Sequence, residues 1–423
     1  MEALPVFRSL LRDRQFRALY STRLVGQFGD GFFQAALASF VLFSPEREPN
    51  ATAIAAAFAI LLIPYSILGP FVGVFLDRWS RRNILFRANL LKALLVLPVI
   101  AVVISGNDSW LLGLFVLCVL GVGRFVLAGL SASLPHVASG KQLITANALT
   151  PTSGTIAFAI GAAAGIGIRE VFGGGDPGSI GLLLCAVGTF IAAGLIAATL
   201  GARALGPDAP LKLSMVDSLA GVTGDLVDGV RALTEHRVAG RAVVIVAINR
   251  VSFGVILAGS LLLLRNTFHD PINANAALAD FAILTGVSAT AALLAAVLTP
   301  WVTRRIGIPI WSAGAVVQAA GGMALFAWAA LAQNFLAIAL AAFSLGFAGQ
   351  AVKVCSDTLI QRHIPDDRLG RVFSIFDMSV NIALVTGITV VAFLAPLNGI
   401  APGLYLAVGG GLALSGVWYL KHR

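Results

Sequence analysis

An all-α membrane protein of twelve spans is the fold class this sequence predicts, and three observations carry it. Of 423 residues, 58% are hydrophobic and only 12% charged, about half the charged share of a soluble domain. Mean hydropathy is +0.91. Apolar runs of about 18 residues or more recur, each able to cross about 30 Å of hydrocarbon as a helix. They are continuous and not alternating, which excludes a β-barrel.

The spans fall at roughly 18–43, 51–76, 83–105, 109–133, 147–171, 178–200, 240–264, 275–301, 307–331, 334–358, 370–395 and 401–420. Arg8, Arg12, Arg14 and Arg17 precede the first, and no cleavable signal is expected there. The second and third spans are divided by a charged turn, GVFLDRWSRRNIL. Pro135 and Pro151 are expected to bracket the turn between the fourth and fifth. Trp79, Trp110, Trp301 and Trp418 lie near span ends and read as interfacial anchors. Cys118, Cys185 and Cys355 all fall inside spans, so neither a disulfide framework nor a metal site is expected.

Charge supports this count. With both termini in the cytoplasm, 20 of the 29 Lys+Arg lie in cytoplasmic segments and only Arg47, Arg169 and Arg265 outside, the other six being within spans. A missed span would scramble that asymmetry. The net charge of +9 therefore reads as topology. The basic residues are scattered over short loops, so no nucleic-acid partner is expected.

Residues 201–239 form the sizeable polar break and divide the chain into a six-span half at 1–200 and another at 240–423. Within the break, Val216, Leu219, Val222, Leu226, Val230 and Leu233 recur every three or four residues, with Asp217, Asp225, Asp228 and Arg231 between them. That spacing predicts an amphipathic helix on the cytoplasmic surface, acting as a tether. The halves echo each other: span 1 lies on span 7 with Gly31 matched to Gly254, and Arg81 and Arg82 match Arg304 and Arg305. Two such halves related by an axis along the membrane normal place a binding site between them in transporters.

Gly73, Asp77, Arg78, Arg81 and Arg82 resemble the loop 2–3 signature of the major facilitator superfamily. Ser80 departs from the glycine usual there, and Pro300 replaces the carboxylate in the second half. The resemblance implies two six-helix halves, a central cavity lined by spans 1, 4, 7 and 10, and an Asp77 that contacts the start of span 11 near Asp367 to Gly370. That contact would latch the halves when the cavity opens outward. The other reading is that the arginines only fix topology. The loops SLPHVASGKQLITANAL and TLIQRHIPDDRLGRVFS resemble those of the enterobactin and macrolide exporter branch. The runs FRALYSTRLVGQFGDGFFQAAL and PYSILGPFVGVFLDRW resemble an actinobacterial subgroup of it, which the excess of arginine over lysine fits. Gly154, Gly161 and Gly165 in span 5 let helices approach closely. Antiporters of the branch carry a glycine-proline pair where this chain has Gly161-Ala162.

Charges within spans are costly unless paired or wetted, which makes them functional candidates. Asp30 lies near the midplane of span 1 and Arg124 at similar depth in span 4. One reading has Asp30 taking up a proton with Arg124 setting its affinity; the other is a permanently ionised structural pair. Arg23, two turns from Asp30, either pairs with it or snorkels, as Arg87 and Lys92 are expected to do. Arg250 in span 7 and Asp377 in span 11 form a similar candidate pair with a structural or substrate-orienting role. Gln27, Gln34, Gln350 and Asn381 are polar groups on candidate cavity helices. Lys353 and Asp357, four apart, are expected to satisfy each other.

No phosphate loop, metal-ligand cluster or catalytic triad is present in the sequence, and the five histidines are scattered, so an enzyme and a cofactor are not expected. The expected function is secondary-active export of a small amphipathic molecule such as a drug, siderophore or metabolite. Proton coupling and alternating access are expected, in a monomer of the bacterial cytoplasmic membrane. The alternatives are a non-transporting receptor or accessory protein of the same fold, and an importer.

Overall fold

The computed structural model describes residues 3–37, 76, 79–105, 110–138, 142–173, 175–201, 204–206, 222–269 and 274–422. Regular structure among them is helical throughout. The helices are α1 (Ala3–Leu10), α2 (Arg14–Leu37), α3 (Arg81–Ser105), α4 (Trp110–Val137), α5 (Gln142–Val171), α6 (Gly175–Ala198) and α7 (Val222–Glu235). They continue with α8 (Arg237–Leu263), which ends in a π-helical turn Leu264–Phe268, then α9 (Ala274–Ile306), α10 (Ile308–Ala332), α11 (Phe335–His363), α12 (Asp366–Leu394) and α13 (Pro402–Lys421).

Ten of these are long and apolar enough to cross a membrane. Helix α2, at 24 residues, reaches the same length, but Arg14, Arg17, Arg23 and Asp30 dilute its hydropathy. These eleven match predicted spans 1 and 3 to 12. The second, with Gly73 near its end and Asp77 and Arg78 after it, lies outside the described residues except for Leu76. Large side chains such as Leu94, Leu184, Leu336 and Leu414 stay exposed, as helices facing lipid require.

Helix α4 ends at Val137 and α5 begins at Gln142, so the link between them lies between Pro135 and Pro151 as expected; both prolines are inside helices, Pro135 in the end of α4 and Pro151 well inside α5. Hydroxyls line the Pro151 turn: Thr150, Thr152, Ser153 and Thr155 donate to the carbonyls of Ala146, Ala148, Leu149 and Pro151. Such side chains help a membrane helix absorb a proline. In α7, Val230 is exposed while Gly229 and Ala232 are buried. The helix turns a small-residue face inward because Gly229 must fit against Ile375 and Arg371 of α12.

The chain packs as two compact units. One gathers α1 to α7 with residues Ile364–Ile375; the other gathers α8 to α11, the remainder of α12 and α13. In the first, α2 packs on α5 and α6, and α3 on α4 and α6. Two apolar clusters fill it. One joins Phe32, Phe33, Val96, Val116, Leu182 and Phe190; the other joins Phe16, Leu19, Leu85, Val126, Leu143 and Ala197. In the second unit α9 and α10 pack on α11, α13 packs on α10, and α8 packs on α11. Tyr405 is buried there, its ring edge-on to Phe326 with centroids 4.7 Å apart and its hydroxyl donating to the Gly399 carbonyl.

Among the described residues, each unit contains a close helix crossing with glycine on both helices. A Cβ on Gly31 would collide with Phe158 O and Ala162 N of α5, and one on Gly161 with Phe28 O of α2. In the second unit a Cβ on Gly254 would collide with Leu384 O of α12, and one on Gly387 with Val251 O of α8. Only glycine lets backbones meet this closely.

Candidate functional site

Three groups of polar residues stand out against this apolar background. The first lies on α2, where Arg23, Gln27, Asp30 and Gln34 follow one another at helical spacing and so share a face. Asp30 pairs with Lys92 of α3, Nζ to Oδ1 at 2.5 Å. Lys92 is 1% exposed, and its ammonium also sits 3.9 Å from the Phe190 ring centroid, a cation–π contact that stabilises a desolvated charge. The Asp30 side chain keeps 27% exposure. The pair therefore has one sealed partner and one that water or a proton can reach.

This corrects two sequence expectations. Lys92 does not snorkel; it lies about 15 Å along α3 from Arg82 and turns inward to Asp30 instead. The ion pair that Asp30 makes is with Lys92, while Arg124, expected in that role, is exposed on α4. Gly123, beside Arg124, is where α4 comes close to the Lys92 ammonium: a Cβ there would stand 3.6 Å from Nζ. Arg23 is buried, and both its Cδ and the Gln27 amide lie against Gly154 of α5; Gly165 faces Ala35. All three span 5 glycines thus face α2. Gln34 is exposed.

The second group is in the second unit. Arg250 of α8 is half-buried, 5.7 Å from the Phe253 ring centroid. With Gln350 of α11 it lines a cavity of about 270 Å³ between α8, α9 and α11. On α12, Asp377 is half-buried and Asn381 buried. Lys353 and Asp357 pair along α11 at 2.6 Å, as their spacing implies.

The third group is a knot around Arg81. The guanidinium is fully buried and donates to the carbonyls of Leu76, Ala132, Leu205 and Asp366 and to the Asp366 carboxylate, the last at 2.8 Å. The Arg81 backbone N–H donates to Gly206 O. Gly206 takes φ +72°, and a Cβ there would strike His136 and the Asp366 carboxylate, so the turn admits glycine alone. His136 Nε2 is 3.5 Å from Asp366. Asp366 stands at the polar head of α12, ahead of the predicted span at 370–395. Burial alone would raise its carboxyl pKa, but His136 and Arg81 outweigh that and hold it well below the usual carboxylate range. Helix α7 is tied to the same head by Arg368 to Glu235 at 3.1 Å and Arg371 to Asp228 at 3.8 Å. Arg82 instead donates to Ala198 O, at the end of α6.

Arg81 thus contacts the start of α12. The part expected of Asp77 lies outside the described residues. Asp366, His136 and Lys92 were not singled out as site residues from sequence, though Asp366 and Lys92 each had a signal. Asp366 and Asp367 open a helix, where acidic residues belong, and Lys92 sits too deep in its span to snorkel.

No family model matches the chain. An MFS-type transporter of Mycobacterium tuberculosis is 34% identical over 413 residues, covering 97% of this chain and 92% of that protein. The chain belongs to the major facilitator superfamily. It is a multi-pass membrane transporter, and members of this family are not enzymes. An MFS-type transporter of Bacillus subtilis is 22% identical over 94% of this chain and 89% of that protein. Among solved structures, an outward-facing bacterial homologue of the iron transporter ferroportin shares the transporter's fold with a TM-score of 0.67 at 18% identity, covering 96% of this chain and 98% of that one. The fucose:proton symporter of E. coli does so with a TM-score of 0.67 at 14% identity, covering 96% and 98%.

Proposed function

We propose that the transporter is a secondary-active exporter of a small amphipathic molecule, coupled to protons and working by alternating access. It sits in the cytoplasmic membrane of a bacterium with both termini inside, as a monomer of two six-helix halves, 1–200 and 240–423, joined by the polar segment 201–239. The enterobactin and macrolide exporter branch is the fitting relationship, and the mycobacterial relatives support an actinobacterial grouping.

The observation that carries coupling is the Asp30–Lys92 pair. A carboxylate part-open to its surroundings, opposite an ammonium sealed within the helices, can exchange a proton while its counter-charge stays fixed. The pair lies beside the Gly31–Gly161 crossing, where a change in helix packing alters its surroundings directly. The name of the fucose:proton symporter, which shares the fold, supports a proton as the driving ion. The Arg81 knot, which binds α3, α4, the connector at Leu205 and the head of α12, is the cytoplasmic latch in this reading.

The test is flux in proteoliposomes with an imposed pH gradient, comparing parent and Asp30→Asn at equal density, after a substrate screen in everted vesicles against vesicles lacking the protein. Gradient-driven accumulation in the parent and its loss in Asp30→Asn are expected. Equal flux in both at every pH would overturn coupling through Asp30. A parent that moves no compound against the empty vesicles would favour a receptor or accessory role.

A further inference from the structure

The cavity between α8, α9 and α11 has an uneven chemistry. Its wall is mostly apolar, with Phe253 and Ala289 among its lining, and Ser288 and Gln350 supply hydrogen-bonding groups. Among the described residues that line it, Arg250 alone is charged and none is acidic. Its volume of about 270 Å³ lies just below the usual range for small-molecule sites. On the α11 side, Gly346 approaches Ser288 so closely that any side chain there would collide with it, which keeps that wall smooth.

We propose that this cavity holds the apolar body of an organic anion, with the Arg250 guanidinium facing its carboxylate, sulfonate or phosphate head. The inference rests on the exporter reading and names its substrate class. An ionisable residue at membrane depth is a functional candidate by default. Guanidinium presents a planar fork of donors that matches an oxyanion, which a lysine at the same place would not. A cationic head placed beside Arg250 would meet like charge in a medium that screens little. The Phe253 ring, beside Arg250 and also in the lining, suits an aromatic or alicyclic body over a long chain.

The experiment uses the full purified chain in detergent with three probes that share one apolar body and differ in head: 4-phenylbutyrate, 4-phenylbutanol and 4-phenylbutylamine. Binding is read by calorimetry, with no gradient, so failure here is distinct from failure of coupling through Asp30. The acid is expected to bind about tenfold or more tighter than the alcohol, as a charge-assisted hydrogen bond allows, and the amine to bind weakest. Arg250→Gln should bring acid and alcohol to equal affinity, and Arg250→Lys should keep part of the preference. Ala289→Phe, which fills the cavity from an exposed position, should abolish binding of all three and carries the test if Arg250→Gln does not fold. Equal affinities in the parent, a preference for the amine, no binding of any probe up to its solubility limit, or acid binding undiminished in Ala289→Phe or in folded Arg250→Gln would overturn the proposal.

Discussion

Replacing Arg81 by methionine separates a latch from a topology signal. Arg81 is fully buried, and among the described residues its side chain makes five hydrogen bonds, two of them to Asp366. Breaking a buried charge pair by removing one partner costs about 3–5 kcal/mol. Asp366 keeps 21% side-chain exposure and a second neighbour in His136, which relieves part of the stranded charge, so about 3 kcal/mol is the working figure. At about 2–4 °C per kcal/mol for a domain of this size, the first unit should melt roughly 6–12 °C lower. Arg82→Met removes the same charge one residue away, but Arg82 gives up only its bonds to Ala198 O and to Asn83, worth about 1 kcal/mol. The assay is thermal unfolding in detergent, read with a fluorogenic thiol dye reporting on Cys118, Cys185 and Cys355. Equal shifts for the two variants would refute the reasoning and leave both arginines as topology signals.

In the Asp30–Lys92 pair the partners are unequally buried, so the two neutralising variants should differ. Asp30→Asn strands a sealed ammonium and should lower stability by about 2–3 kcal/mol, while Lys92→Met leaves a part-wetted carboxylate and should cost about 1 kcal/mol; the same melting assay reads both, and the reverse order would contradict the geometry. At the helix crossings, Gly161→Leu and Gly387→Leu force backbones apart and should abolish a monodisperse species on size exclusion. Gly188→Ala, with open space around it, should be neutral or stabilising by about 0.5–1 kcal/mol. A stable Gly161→Leu would mean that the α2–α5 crossing relaxes freely.

Much of this architecture is legible in the sequence because hydropathy acts residue by residue, and a helix in lipid satisfies its own backbone wherever it sits. Spans 3 to 12 therefore fall within a few residues of the observed helices. Pro151 is tolerated inside α5 because hydroxyl groups and neighbouring helices absorb in a bundle a proline that would end a helix in water. Depth along a helix is also legible, so Asp30 was found as an embedded charge. Azimuth around a helix is not. Whether Lys92 or Arg124 turns toward Asp30 depends on the rotation of α3 and α4 against α2, which small residues such as Gly123 decide through packing. The same limit hid Asp366, which is read from sequence as one acidic residue of a loop and becomes part of a site only when Arg81 reaches it.

Matching Gly31 to Gly254 aligns the two crossings residue by residue. In that register Asp30 corresponds to Phe253 and Gln27 to Arg250. The first unit thus places a carboxylate and its ammonium beside the crossing, and the second places an aromatic ring and a guanidinium on a cavity wall. In the proposed reading, equivalent backbone sites carry different chemistry, a proton carrier in one and an anion-facing group in the other. Variants at the two sites should therefore fail in different ways. Asp30→Asn should keep binding of 4-phenylbutyrate within about threefold of the parent while losing gradient-driven flux. Arg250→Gln should lose the preference for the acid while still carrying a neutral analogue down its own concentration gradient. A double variant should show both losses with no further interaction if each site acts within its own unit. If Asp30→Asn alone erased acid binding, the two sites would be one energetic unit, and the division of labour between the halves would be wrong.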